Sequence, residues 1–209
     1  MRGLKCKVRS HIGEKTDITQ PSPNGGSAET AVSKPAPILV GRVGDILWIS
    51  VEGKGSFQNS PLAKQCIQTM IEGGARQFVV DLERCPIMDS TFLGMLAGAA
   101  LKLRELGDGK ATVINANTRN QHLLRNLGLD HILHLDHAGS CYQAERKEVG
   151  RELSICRETA QVGTKADRIG HVLEAHKALV QANAQNVSRF KDVIEFLEKE
   201  TRKSPPAEG

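Results

Sequence analysis

The sequence predicts an α/β fold: a mixed, mostly parallel sheet flanked by helices. Three observations carry that expectation. Short β-rich runs alternate with helical patterns from Ile38 to Leu135, the order expected when crossover helices join parallel strands. The run Gln77-Phe78-Val79-Val80-Asp81-Leu82 is a short, continuous apolar strand of the kind covered on both faces. The segment Thr91 to Leu106 has a helical pattern that is apolar almost all round, which marks a buried rather than a surface helix.

The elements follow in order. Ile38-Leu39-Val40 and Ile46 to Val51 read as strands, with Gly44-Asp45 at a hairpin turn that gives the sheet an antiparallel edge. Ser60-Pro61 supplies an N-cap and a proline at N1. Leu62, Cys66, Ile67, Met70 and Ile71 then recur at spacings of three and four until Gly73-Gly74 ends the first helix. The strand at 77–82 and a loop at 83–89 lead to the second helix. Gly94 and Gly98 inside it cost roughly 1 kcal/mol each against Ala, and the expected return is close backbone approach to a sheet. Ala111 to Asn115 is the next strand. Thr118-Arg119-Asn120-Gln121 has a capping-box pattern and opens a third helix that Gly128 stops. His131 to Leu135 reads as the last strand. The crossovers are expected to be right-handed.

Three regions result. Residues 1–37, with Gln20-Pro21-Ser22-Pro23-Asn24-Gly25-Gly26, bury too little apolar area to offset ordering entropy and read as a flexible leader. Residues 38–137 form the α/β domain. Residues 138–209 read as an amphipathic helical extension with a disordered end. Its apolar positions, among them Val172, Leu179, Phe190 and Leu197, make one helix or two joined near Asn183. The extension would pack on the domain, pair with a second copy as a homo-oligomer, or fill a partner groove.

Composition narrows the function. Lys+Arg is 28 and Asp+Glu 24, so the net charge is 28 − 24 = +4, and aromatics are 3%. Neither a basic footprint nor stacking platforms for nucleic acid are expected. No apolar run reaches the roughly 18 residues of a membrane span. The five cysteines, Cys6, Cys66, Cys85, Cys141 and Cys156, include no C-x-x-C pair and suggest no disulfide framework or zinc ribbon. Cys66 and Cys85 read as small core residues. A reducing, cytoplasmic setting is expected.

The chemistry centres on Asp81-Leu82-Glu83-Arg84-Cys85-Pro86-Ile87-Met88-Asp89-Ser90-Thr91-Phe92-Leu93-Gly94, where a buried strand ends and a buried helix opens. In open α/β sheets, functional groups collect at the carboxyl ends of strands. A helix N-terminus also favours negative charge. Asp, Ser and Thr before a helix are most simply caps. A catalytic Ser90 would need a neighbouring His and acid, and no G-x-S-x-G elbow surrounds it.

The run Phe78-Val79-Val80-Asp81-Leu82 to Met88-Asp89-Ser90-Thr91-Phe92-Leu93-Gly94, with the later Leu127-Gly128-Leu129, resembles the signature of the STAS domain family, which includes the bacterial anti-sigma-factor antagonists. The resemblance implies that Ser90 is phosphorylated by an anti-sigma factor that is also a serine/threonine kinase. The unmodified chain would hold that partner, the phosphorylated chain would release it, and a serine phosphatase would restore binding. The implied docking surface comprises Gly53, Gly55, Ser56 and Phe57 of one loop with Asp89, Thr91, Phe92 and Leu93 of the helix start. The family usually has Gly where this chain has Phe92, so that aromatic is either core or an exposed anchor. Ser56 stands nearest the acid that the family's loop usually carries.

No enzyme activity, cofactor or metal is expected. His131, His134 and His137 recur every three residues, but strand geometry would turn the first two to opposite faces. Gly53-Lys54-Gly55 lacks the full spacing of a phosphate-binding loop. The alternative is a constitutive STAS scaffold or transport-associated subunit without phosphorylation.

Overall fold

The computed structural model describes residues 36–107, 109–151, 153–155 and 163–203. The expected leader lies almost wholly outside the described residues, as does the chain's end beyond Lys203. Six strands, β1 (Ile38–Val43), β2 (Ile46–Val51), β3 (Gln77–Asp81), β4 (Lys110–Ile114), β5 (His134–Asp136) and β6 (Ser154–Ile155), form one sheet in the order β5-β4-β3-β2-β1-β6. The pairs β2–β3, β3–β4 and β4–β5 are parallel, while β1 runs antiparallel to both β2 and β6. The helices are α1 (Ser60–Glu72), α2 (Ser90–Glu105), α3 (Thr118–Asn126), α4 (Gln143–Val149), α5 (Lys165–Ala182) and α6 (Asn186–Lys203).

Side-chain alternation divides the sheet. Leu47, Ile49 and Val51 of β2 join Phe78 and Val80 of β3 in the main core with α1 and α2. Trp48, Val79 and Ile114 turn to the opposite face, where Val149 of α4 covers them. β3 is therefore buried on both faces, as its unbroken apolar run requires.

Several local expectations are corrected. The first helix is capped from Asn59, with Ser60 and Pro61 inside its first turn. The Asn59 amide instead ties down the preceding loop: its Oδ1 accepts from Ser56 N and its Nδ2 donates to Ala36 O and Lys54 O. α3 is capped by Asn117, whose side chain accepts from Asn120 N, rather than by a box at Thr118. His131 closes a short 3₁₀ turn after Gly128, which takes φ +67, and β5 starts only at His134. The antiparallel edge is β6 rather than β1. Cys85 is a buried free thiol, whereas Cys66 is disulfide-bonded and half-buried rather than a simple core thiol.

Gly94 and Gly98 overturn their expected role most informatively. They face α5, not the sheet. A Cβ on Gly94 would lie 2.2 Å from the Ala175 carbonyl oxygen, and one on Gly98 would meet Ala178 Cβ at 3.6 Å. α2 is thus covered twice, by the sheet on one side and by α5 on the other, which accounts for its apolarity all round. The amphipathic stretch is two helices turning at Asn183, the second of the two alternatives its sequence left open, whereas the region expected to be a helical extension also contributes α4 and the sheet strand β6.

Candidate functional site

Parallel pairing of β2 and β3 puts their carboxyl ends side by side, so the segments that follow them meet. Gly55 bridges Met88 in parallel; Gly55 N donates to Ile87 O at 3.0 Å and Asp89 N donates to Gly55 O at 2.9 Å. Asp89 staples the two segments with its carboxylate. Oδ1 accepts from Phe92 N at 2.9 Å as the α2 cap, and Oδ2 accepts from Phe57 N at 2.9 Å. The loop at 53–57 and the start of α2 therefore lie together on one rim.

The residues singled out in sequence divide by exposure. Phe57 is 53% exposed, while Phe92, Leu93 and Thr91 are at most 5% exposed. Phe92 is core, which settles its alternatives, and the buried side chains of Thr91 and Leu93 do not face outward. Gly55 is buried, and a Cβ there would press on Met88 and Phe92 at 3.0 Å. Ser56 is buried in the turn that Asn59 holds. Gly53 takes φ +125, a conformation suited to glycine. Of the residues singled out, Phe57 is exposed and Gly53, Asp89 and Ser90 are half-buried on this rim.

Ser90 is the first residue of α2, and no acidic residue occupies that helix's first turn. Its hydroxyl has a partner that the sequence did not reveal. His176 of α5 places Nε2 at 3.1 Å from Ser90 Oγ, while its Nδ1 lies 2.7 Å from the Val172 carbonyl oxygen. That carbonyl can only accept, so Nδ1 carries a proton and Nε2 is the nitrogen that faces the Ser90 hydroxyl. His176 is 5% exposed and stacks edge-on against Phe190 of α6 with ring centroids 5.1 Å apart. A second pair lies nearby: Ser60 Oγ and His171 Nε2 are 2.7 Å apart. Burial pushes the His171 imidazole below its ordinary pKa, Lys64 adds to that shift, and Glu174 and Asp89 oppose it.

His171 and His176 were missed because they lie 111 and 86 residues from their serines. A signal was available: a helix apolar all round needs a second cover, and 167–199 is the other long amphipathic segment. Among the described residues, no three His, Cys, Asp or Glu side chains cluster as a metal site, and no helix is long and apolar enough to cross a membrane.

Residues 38–140 match the family model of the STAS domain. No curated protein matches the chain by sequence. Among solved structures, the chain is similar to TM1081 of Thermotoga maritima, with 18% identity over 54% of this chain and 93% of that one and a TM-score of 0.46. It is also similar to the anti-sigma factor antagonist SpoIIAA in its unphosphorylated form (19% identity, 55% and 96% covered, TM-score 0.44). The phosphorylated form of the Bacillus cell fate determinant SpoIIAA gives 18% identity, 53% and 96% covered, and a TM-score of 0.43.

Proposed function

Residues 38–140 of this chain belong to the STAS domain family, and on that premise we propose that it is an anti-sigma-factor antagonist whose partner is switched by phosphorylation of Ser90. The observation that carries this reading is the placement of Ser90. Its hydroxyl stands at the N-terminus of a buried helix, one residue from the Asp89 staple that fixes the exposed Phe57 beside it.

The two charge states separate on energetic grounds. Phosphorylation adds about −1.5 to −2 charge. The α2 N-terminus favours that charge by about 0.3–1 kcal/mol, and the first turn holds no competing acid. The fold therefore tolerates the dianion. A partner docked over Phe57 and Ser90 would have to desolvate it, and a disrupted buried polar contact costs about 2–5 kcal/mol. At about 1.4 kcal/mol per tenfold, affinity falls about 30-fold to several thousand-fold. The partner is an anti-sigma factor with serine/threonine kinase activity, and a serine phosphatase resets the switch. The chain itself acts by binding.

Affinity capture with Ser90→Ala, followed by identification of what co-purifies and phosphopeptide mapping of the wild-type chain, tests the reading. Recovery of a kinase-type anti-sigma factor and a phosphate on Ser90 support it. An unmodified Ser90 under all growth conditions favours the constitutive scaffold instead.

One observation supports a second reading. The Ser90–His176 pair has the spacing of a nucleophile and its base. Against it, Asp89 is committed to two backbone N–H groups, a carbonyl rather than an acid orients His176, and the ring is buried. Covalent labelling of Ser90 by a fluorophosphonate, abolished by His176→Ala, would establish the enzyme reading.

A further inference from the structure

We propose that the α5–α6 hairpin is a built-in cover on Ser90, which has to lift from α2 before another protein reaches that hydroxyl. The inference rests on the reading of Ser90 as the phosphoacceptor and adds its regulation.

The cover is written into both surfaces. On α2, Gly94 lets the Ala175 backbone approach so closely that one methyl group would collide with it, and Gly98 faces Ala178. Two glycines in a helix interior weaken α2 by roughly 1 kcal/mol each, and at Gly94 the return is the close approach of α5. On the hairpin, Ala175, His176, Ala178 and Leu179 are at most 9% exposed. His176 is aimed at the Ser90 hydroxyl and braced by Phe190. His171 reaches Ser60, at the N-terminal end of the neighbouring helix. At the turn between α5 and α6, Asn186 Nδ2 donates to Leu127 O at 2.9 Å, and Arg189 donates to Asn126 O at 2.9 Å.

The side of the seam toward α1 is the weaker one. Besides the His171–Ser60 contact, α1 and α5 are joined by an ion pair, Lys64–Glu174, with Glu174 exposed, and exposed pairs hold weakly. A groove of about 370 Å³ opens between α1, α2 and α5, lined among others by Ile67, Ile71 and Met95, so the hairpin is fastened along α2, where Ala178 and Leu179 join the main core, and held more loosely toward α1. Phe57 stays exposed beside the covered serine. A partner can therefore land on the loop first and compete with α5 for the start of α2.

The test uses the full chain carrying Ser90→Cys, with alkylation of residue 90 by N-ethylmaleimide followed by peptide mass mapping. Rate constants are extracted for the thiolate from pH profiles, which separates access from any activation by His176. Gly94→Ala is the releasing substitution: it favours α2 as a helix while its methyl group meets α5 backbone that cannot swing aside. Leu179→Arg is the second, acting from the hairpin side. Amide exchange in β3 reports that the domain stays folded, and exchange in α5 reports that the hairpin has loosened. The expected result is alkylation at least about tenfold faster in both, corresponding to about 1.4 kcal/mol or more of opening free energy. Equal rates with a loosened α5 and a protected β3 overturn the cover. Faster alkylation in a chain whose Ser90 is never phosphorylated in the cell upholds the cover and removes the phosphoacceptor reading.

Discussion

Removing the Asp89 carboxylate tests the geometry on which the site depends. Asp89→Ala deletes two hydrogen bonds at once, from Phe92 N and from Phe57 N, both 2.9 Å long. Loss of an N-cap costs about 0.5–2 kcal/mol. A hydrogen bond to a charged group contributes about 1.5–3 kcal/mol, and the low end applies because Phe57 is exposed to water. The two losses total about 2–3.5 kcal/mol. At about 2–4 °C per kcal/mol for a chain of this size, the melting temperature falls by about 4–14 °C. Asp89→Asn keeps one acceptor oxygen and should lose about half as much. Thermal melting gives the magnitude, and amide exchange shows where it acts: Phe57 and its loop should lose protection while β4 does not. A drop below about 2 °C with an unchanged loop would refute the staple, and with it the claim that loop and helix start form one surface.

Phe57→Ala should leave the melting temperature nearly unchanged, within about 0.5 kcal/mol for an exposed position, yet weaken capture of the partner by about 2 kcal/mol or more if the ring is an anchor; pull-down against Ser90→Ala as reference measures this. Acidification should loosen the hairpin through His171. Its folded-state pKa is depressed, chiefly by burial, so the unfolded state binds the proton more readily. The stability held by the neutral ring is complete above the unfolded value of about 6.5 and is lost as pH falls through the folded value. Amide exchange of α5 should accelerate over that window, and His171→Gln should flatten the response.

The first four strands were legible because alternation and burial coincide: Leu47, Ile49 and Val51 face one core while Trp48 faces the other; β6, a two-residue strand, carries no such pattern. The start of α2 was legible because Asp89 caps it by a local bond that spacing alone implies. Caps that compete with an adjacent polar residue were not legible. Asn117 displaced Thr118, and Asn59 turned its amide to the loop at 54–56, and nothing in residue type decides between neighbours of similar capping strength. The destination of Gly94 was misread for a different reason. A helix apolar on every side shows that it is covered twice, but its sequence does not say which side meets the sheet and which meets another helix. The contact between Ser90 and His176 joins residues 86 positions apart, and only the fold brings them together.

The central claim is that charge on Ser90 decides whether the partner stays bound. The most direct measurement is the dissociation constant of the captured anti-sigma partner for Ser90→Ala and Ser90→Asp, taken on chains shown to melt alike. The account predicts that Ser90→Asp binds at least about 30-fold more weakly, the low end of the cost of a disrupted interfacial polar contact. Equal affinities for the two chains would contradict it.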